Sequence, residues 1–136
     1  MRSQGCEKVA PGLRKGYNGV MTAAVAAHRI GAAALDEIRG RFALSEDELA
    51  ALFGVSRPAI AKWRQRGVPV HRAADVDRVR ELAGYFGRRF VAARIPQIVR
   101  TPGKGLAGKT VLVTIAEGGV DRVYAYLEGL FSYAPP

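Results

Sequence analysis

The segment SRPAIAKWRQR, residues 56–66, sets cationic and amide side chains at helical spacing. At about 100° per residue, Ile60 and Trp63 point one way, while Arg57, Pro58, Ala61, Lys62 and Gln65 cluster on the opposite side. A guanidinium can donate two parallel hydrogen bonds to a guanine edge, and a primary amide can read adenine. Arg57 and Gln65 therefore carry the chemistry of base recognition in a major groove. Arg57, Lys62 and Arg66 serve equally well as phosphate ligands, which fix position without reading sequence. Ser56, at the head of the stretch, adds a hydroxyl and the unpaired amides of a helix start. The expected DNA-binding set is Ser56, Arg57, Pro58, Ala61, Lys62, Gln65 and Arg66. Trp63 is read as core rather than as a stacking platform for bases.

Such a face must be held by a second helix at a sharp angle, and the residues just upstream meet that demand. Ser45 is a good N-cap, and Glu48 three residues later completes a capping box. Glu46 and Asp47 suit the positive end of a helix. That helix runs to Phe53 and stops at Gly54, where the turn needs a positive φ. Ala50 is small where the two helices approach. Leu49, Phe53, Val55, Ile60 and Trp63 supply apolar contacts between them. Together residues 46–65 have the pattern of a helix-turn-helix. The three acids at its start count against it, since they would repel phosphates.

Elsewhere the chain alternates helical periodicity with glycine and proline breaks. Residues 1–20 carry no periodicity and read as a flexible arm. A first helix is expected over 22–42, with Val25, Leu35, Ile38 and Phe42 near helical spacing. Asp75 to Ala93 reads as a longer helix, with Val76, Val79, Leu82, Phe86, Phe90 and Ala93 on one face and Pro96 closing it. Residues 101–109 form a glycine-rich loop. TVLVTIA at 110–116 is open between strand and helix: its β-branched composition says strand and its length does not decide. Residues 120–131 read as a helix with Val120, Val123, Leu127 and Leu130 on one face. The expected class is all-α, with a helix-turn-helix DNA-binding domain over 21–70 and a small helical domain over 71–136.

Composition narrows the function classes. Of 136 residues, 49% are hydrophobic, enough to bury a core, and the formal net charge is +9, which favours polyanionic partners. The charge is uneven: residues 56–109 hold 13 Lys/Arg against three acids, whereas residues 110–136 hold Arg122 against Glu117, Asp121 and Glu128. This implies two surfaces with different partners. Cys6 is the only cysteine, so an internal disulfide is out, and a reducing cytoplasm is the expected location. No apolar run approaches the roughly 18 residues of a membrane span. The stretch Met21–Ala27 faintly resembles a signal peptide, but AAALDEIRGRF continues it as an amphipathic helix. His28 and His71 lack partner motifs, so no metal site is expected. Residues 103–110, GKGLAGKT, fit the phosphate-loop pattern literally through Gly103, Gly108, Lys109 and Thr110. That pattern needs a strand before it, and RIPQIVR is short and broken by proline. No catalytic constellation is visible, so no enzyme activity and no cofactor are expected.

The segment IVRTPGKGLAGKTVLVTIAEGGVDRVYAYLEGLFSY resembles the toxin-binding domain of Xre/MbcA/ParS-type antitoxins, the partners of RES-domain toxins. The matching residues are Ile98-Val99, Thr101-Pro102, Leu106 with Gly108, Val111 to Ile115, Gly118-Gly119, and Val123 with Leu127. A tryptophan usual near Ile98 and a proline usual near Val111 are missing. With the upstream helix pair, the resemblance spans roughly residues 22–136. It implies a type II antitoxin that autorepresses its operon and neutralises an NAD-consuming toxin through its C-terminal region. It also implies a homodimer within a larger toxin-antitoxin complex. The implied toxin-binding residues are Thr101, Lys104, Tyr126, Leu130, Phe131 and Tyr133. A stand-alone phage or mobile-element repressor, whose C-terminal half only dimerises, is the alternative. A nucleotide-binding protein using the 103–110 loop is a third reading.

Overall fold

The computed structural model describes residues 31–132. The expected arm at 1–20, the first part of the 22–42 helix and Tyr133 lie outside the described residues. What is described is all-α: seven helices, two 3-10 turns and a single isolated β-bridge between Gly103 and Lys109. Helix α1 spans 31–42 and turns Ala34, Leu35, Ile38 and Phe42 into the interior.

Helix α2 is Glu46–Leu52. Its start is the capping box read from the sequence: the Glu48 amide donates to the Ser45 hydroxyl at 3.1 Å, and the Ser45 amide donates to Glu48 Oε1 at 2.9 Å. Two of the four donors left over at a helix start are thereby satisfied. Gly54, at φ +66°, makes the turn that follows. Ser56 then caps α3, Arg57–Arg66, by accepting from the Ala59 amide. Pro58 in the first turn removes a donor that would have had no partner, and Gly67 ends the helix at φ +97°.

Helix α4 is Val70–Arg89, and here the expectation of Asp75–Ala93 is corrected at both ends. The helix starts five residues earlier because Pro69, which has no N–H to satisfy, supplies the entry at φ −56°, and Arg72 fastens the first turn by donating to the Phe53 carbonyl at 2.8 Å. It stops at Arg89 because Phe90 is extended, at φ −125° and ψ 153°. Ala93 falls in a 3-10 turn, Ala92–Arg94. Pro96 closes nothing. It lies in the first turn of α5, Ile95–Ile98, where proline is favoured.

The 110–116 ambiguity resolves to helix. In α6, Val111–Ala116, the Thr110 hydroxyl accepts from the Val113 amide, and Val111, Thr114 and Ile115 face inward at helical spacing. Helix α7 is Val120–Ser132. Its inward stripe runs Val120, Val123, Leu127, and Phe131, four residues on, is 39% exposed with its ring 5.4 Å from that of Phe90. Leu130, expected on that stripe, is 50% exposed, because the four-residue step carries the packed face past it.

The interior is one hydrophobic cluster that runs from Ala34 to Leu127 and includes residues from all seven helices. Phe42 of α1 meets Phe86 of α4 edge-to-face at 5.4 Å, and Phe53 meets Trp63 at 5.9 Å. Each fully buried large side chain contributes about 1.5–3 kcal/mol. Leu106, in the second 3-10 turn Lys104–Leu106, is 1% exposed and anchors the glycine-rich loop to this cluster. No helix among the described residues is long and apolar enough to cross a membrane.

Candidate functional site

The buried side of α3 holds Ile60 and Trp63 at 0% and 7% exposure. Arg57, Pro58, Ala61, Lys62, Gln65 and Arg66 are all exposed, as is Ser56 at the cap. The residues picked for base and phosphate chemistry therefore share one solvent face, and Trp63 is core. The physical cause is the helical period: a short helix that buries positions 60 and 63 must turn 57, 61, 62 and 65 outward.

The acids near this face are largely engaged. The Arg39 Nε lies 2.7 Å from a Glu46 carboxylate oxygen, and Arg64 donates to the other oxygen. Arg64 also reaches Asp36 at 3.3 Å. The hydrogen bond from Arg64 holds the Glu46 carboxyl below its ordinary range, with burial opposing, and the same bond raises Arg64. Glu48 turns away towards Arg100, whose hydrogen bond lowers it most, helped by the Ser45 amide. Asp47 stays 78% exposed, 3.8 Å from Arg57. Arg64 was not singled out by sequence reasoning. Its neighbours on α3 are also basic, and only tertiary packing distinguishes the one arginine that turns back to join α1 and α2.

The residues expected to bind a protein partner fall in two places. Thr101 and Tyr126 line one cleft with Arg94, Gln97, Ile98 and Pro102. The Thr101 hydroxyl donates to the Gln97 carbonyl at 2.7 Å. Tyr126 lies across the glycine-rich loop: a Cβ on Gly103 would stand 2.7 Å from its hydroxyl, and one on Gly105 2.5 Å from its ring. Lys104 is exposed between those glycines. Leu130 and Phe131 instead form a patch at the end of α7, 50% and 39% exposed, with the Arg89 guanidinium 4.7 Å above the Phe131 ring. Arg94 and Gln97 were missed. A lone arginine and a lone glutamine beside a proline carry no periodic signal.

The 103–110 loop is closed on itself. The Gly103 amide donates to the Lys109 carbonyl at 3.1 Å, and the Gly108 amide to the Gly103 carbonyl at 2.9 Å. Lys109 pairs with Glu117 at 2.7 Å, and Thr110 spends its hydroxyl on the α6 cap. The residues before it form α5, not a strand. Among the described residues no cluster of three His, Cys, Asp or Glu could hold a metal ion. Comparison with known proteins finds no matching family model, no matching curated protein and no matching solved structure.

Proposed function

We propose that this chain is a DNA-binding repressor, with α2 and α3 acting as a helix-turn-helix and α3 entering the major groove. The observation that carries the reading is the outward face of α3, where Arg57, Lys62, Gln65 and Arg66 are exposed together while Ile60 and Trp63 anchor the helix from behind. Arg57 and Gln65 supply base readout, and Lys62, Arg66 and Ser56 supply phosphate contacts. The pairing of Glu46 with Arg39 and Arg64 supports it, because that carboxylate's charge is offset by two guanidinium groups. The test is a mobility shift on the DNA upstream of the protein's own gene. Replacing Arg57 and Lys62 together with Ala should abolish the shift and leave the melting temperature unchanged. An undiminished shift would sink the reading.

A second activity, as the antitoxin of a RES-domain toxin, is favoured by a separate observation. The end of α7 exposes Leu130 and Phe131 as apolar anchors, while Val120, Val123 and Leu127 of the same helix are buried, and aromatic anchors of this kind dominate protein interfaces. Co-expression with the adjoining gene tests it. If no complex forms and no toxicity is relieved, the protein is a repressor alone.

A further inference from the structure

The cleft between α5 and α7 is a concavity rich in hydrogen-bond donors, with no acid in its walls. Arg94, Gln97, Ile98, Thr101, Pro102 and Tyr126 enclose about 290 Å³. Arg94 is exposed, and it is absent from the ion pairs among the described residues, although Arg39, Arg57, Arg64, Arg78, Arg80, Arg100 and Lys109 each have a carboxylate. Thr101 commits its proton to the Gln97 backbone carbonyl. Lys104, also exposed, follows Gly103 at the loop edge against which Tyr126 packs. The cleft among α1, α4 and α7 differs, because it mixes Glu37 and Glu81 with Arg80 and Arg88. The one beside α2 and α6 holds the already paired Glu48 and Arg100.

We infer that the α5–α7 cleft receives an acidic side chain of a protein partner. Its carboxylate lies on the Arg94 guanidinium and the Gln97 amide, and its aliphatic stem lies against Ile98, Pro102 and Tyr126. A guanidinium and a carboxylate form charge-assisted hydrogen bonds about twice as strong as neutral ones, and the apolar walls suit the stem of Glu. A duplex is a convex cylinder whose phosphates reach only the rim of such a hollow, so a peptide is the better occupant. The packing of Tyr126 against Gly103 and Gly105 fixes one wall in advance, which lowers the ordering cost of binding. The inference rests on the reading that the C-terminal half binds a protein, and it supplies the chemistry of that contact.

The test titrates the full chain with the capped peptide acetyl-Leu-Glu-Leu-amide and its Gln counterpart, followed by NMR. The Glu peptide should bind with a Kd on the order of 1 mM, shift the Gln97 side-chain amide and the Tyr126 ring, and bind about tenfold tighter than the Gln peptide. Arg94→Ala should remove that preference. Arg94 is exposed, so the variant should fold as the parent does. Equal response to both peptides, no response to either, or indifference to Arg94→Ala overturns the inference. So does movement of the Gln97 amide on adding duplex DNA in place of peptide. The co-expression experiment fails or succeeds without reference to Arg94, so a failed cleft and a failed antitoxin reading are told apart.

Discussion

The Arg100 guanidinium grips the Glu48 carboxylate through Nε at 3.3 Å and Nη2 at 3.0 Å, across 52 positions of sequence. The same carboxylate accepts from the Ser45 amide and so completes the α2 cap. Arg100 also donates to the carbonyls of Phe42 at 3.0 Å, Ala43 at 2.9 Å and Pro96 at 2.7 Å. One side chain thus joins the end of α1, the start of α2 and the segment after α5.

Arg100→Ala should therefore cost more than an exposed ion pair would. It leaves three carbonyls without their donor, and the expected loss is about 2–3 kcal/mol. Glu48→Gln keeps an acceptor for the cap, since Gln serves in a capping box, and should cost about 1 kcal/mol or less. Urea unfolding of the two variants measures both. An Arg100→Ala midpoint equal to wild type would mean that water replaces the guanidinium without loss.

Acid should weaken the helix pair by protonating the carboxylates that hold it. Glu46 and Glu48 have folded pKa values lowered from 4.5, chiefly by hydrogen bonds from Arg64 and Arg100. A depressed carboxyl contributes stability that is fully present above its unfolded value and is lost as pH falls through its folded value. The urea midpoint should be flat from neutrality to about pH 5 and should then fall. In Glu46→Gln the fall should be shallower. An equal acid slope in wild type and variant would count against the Arg64 contact.

Two kinds of cation on α3 should separate in DNA-binding measurements. Lys62→Gln should weaken binding to all sequences alike and reduce the slope of log K against log salt by about 1. Arg57→Ala should cost about 1–3 kcal/mol on the preferred site and relax discrimination at one base pair. Arg64→Ala should instead lower the melting temperature, because Arg64 holds Glu46 and Asp36. Anisotropy titrations at several salt concentrations, paired with melts, distinguish the three.

Gly105→Ala should destabilise by about 1–3 kcal/mol, as overpacking does, because the new Cβ would sit 2.5 Å from the Tyr126 ring. Tyr126→Ala clears that space, so the double variant should recover part of the loss, with a coupling of at least about 0.5 kcal/mol. Additive losses would show that the loop yields instead of the ring.

What was legible in the sequence was local. Ser45 with Glu48, Ser56 at the start of α3, and Gly54 in the turn each act within four residues, so spacing alone revealed them. The α3 face was legible because burying Ile60 and Trp63 dictates what points outward. Thr110 to Ala116 was not, since β-branched residues suit either element and the decision rests on packing of Val111 and Ile115 against the common core. The α4 start was misread because its apolar stripe begins only at Val76, whereas the helix is entered at Pro69. Arg100, Arg64 and Arg94 were invisible for a different reason. In a chain with 21 Lys/Arg, Arg64 and Arg100 are singled out by partners far along the sequence, and Arg94 only by the cleft that it lines.

The Arg100 clasp also bears on the order in which the fold is assembled. The α2–α3 pair closes through short-range contacts such as Phe53 with Trp63, ten positions apart, whereas Arg100 must find Glu48, Ala43 and Phe42 across separations of 52, 57 and 58. Loop closure over such lengths costs entropy before any bond repays it. The α2–α3 pair is therefore expected to form early from its own caps and apolar contacts, with the guanidinium joining late as a latch. A latch made after the rate-limiting step slows escape from the native state without hastening entry to it. Arg100→Ala is then expected to hasten unfolding far more than it slows folding.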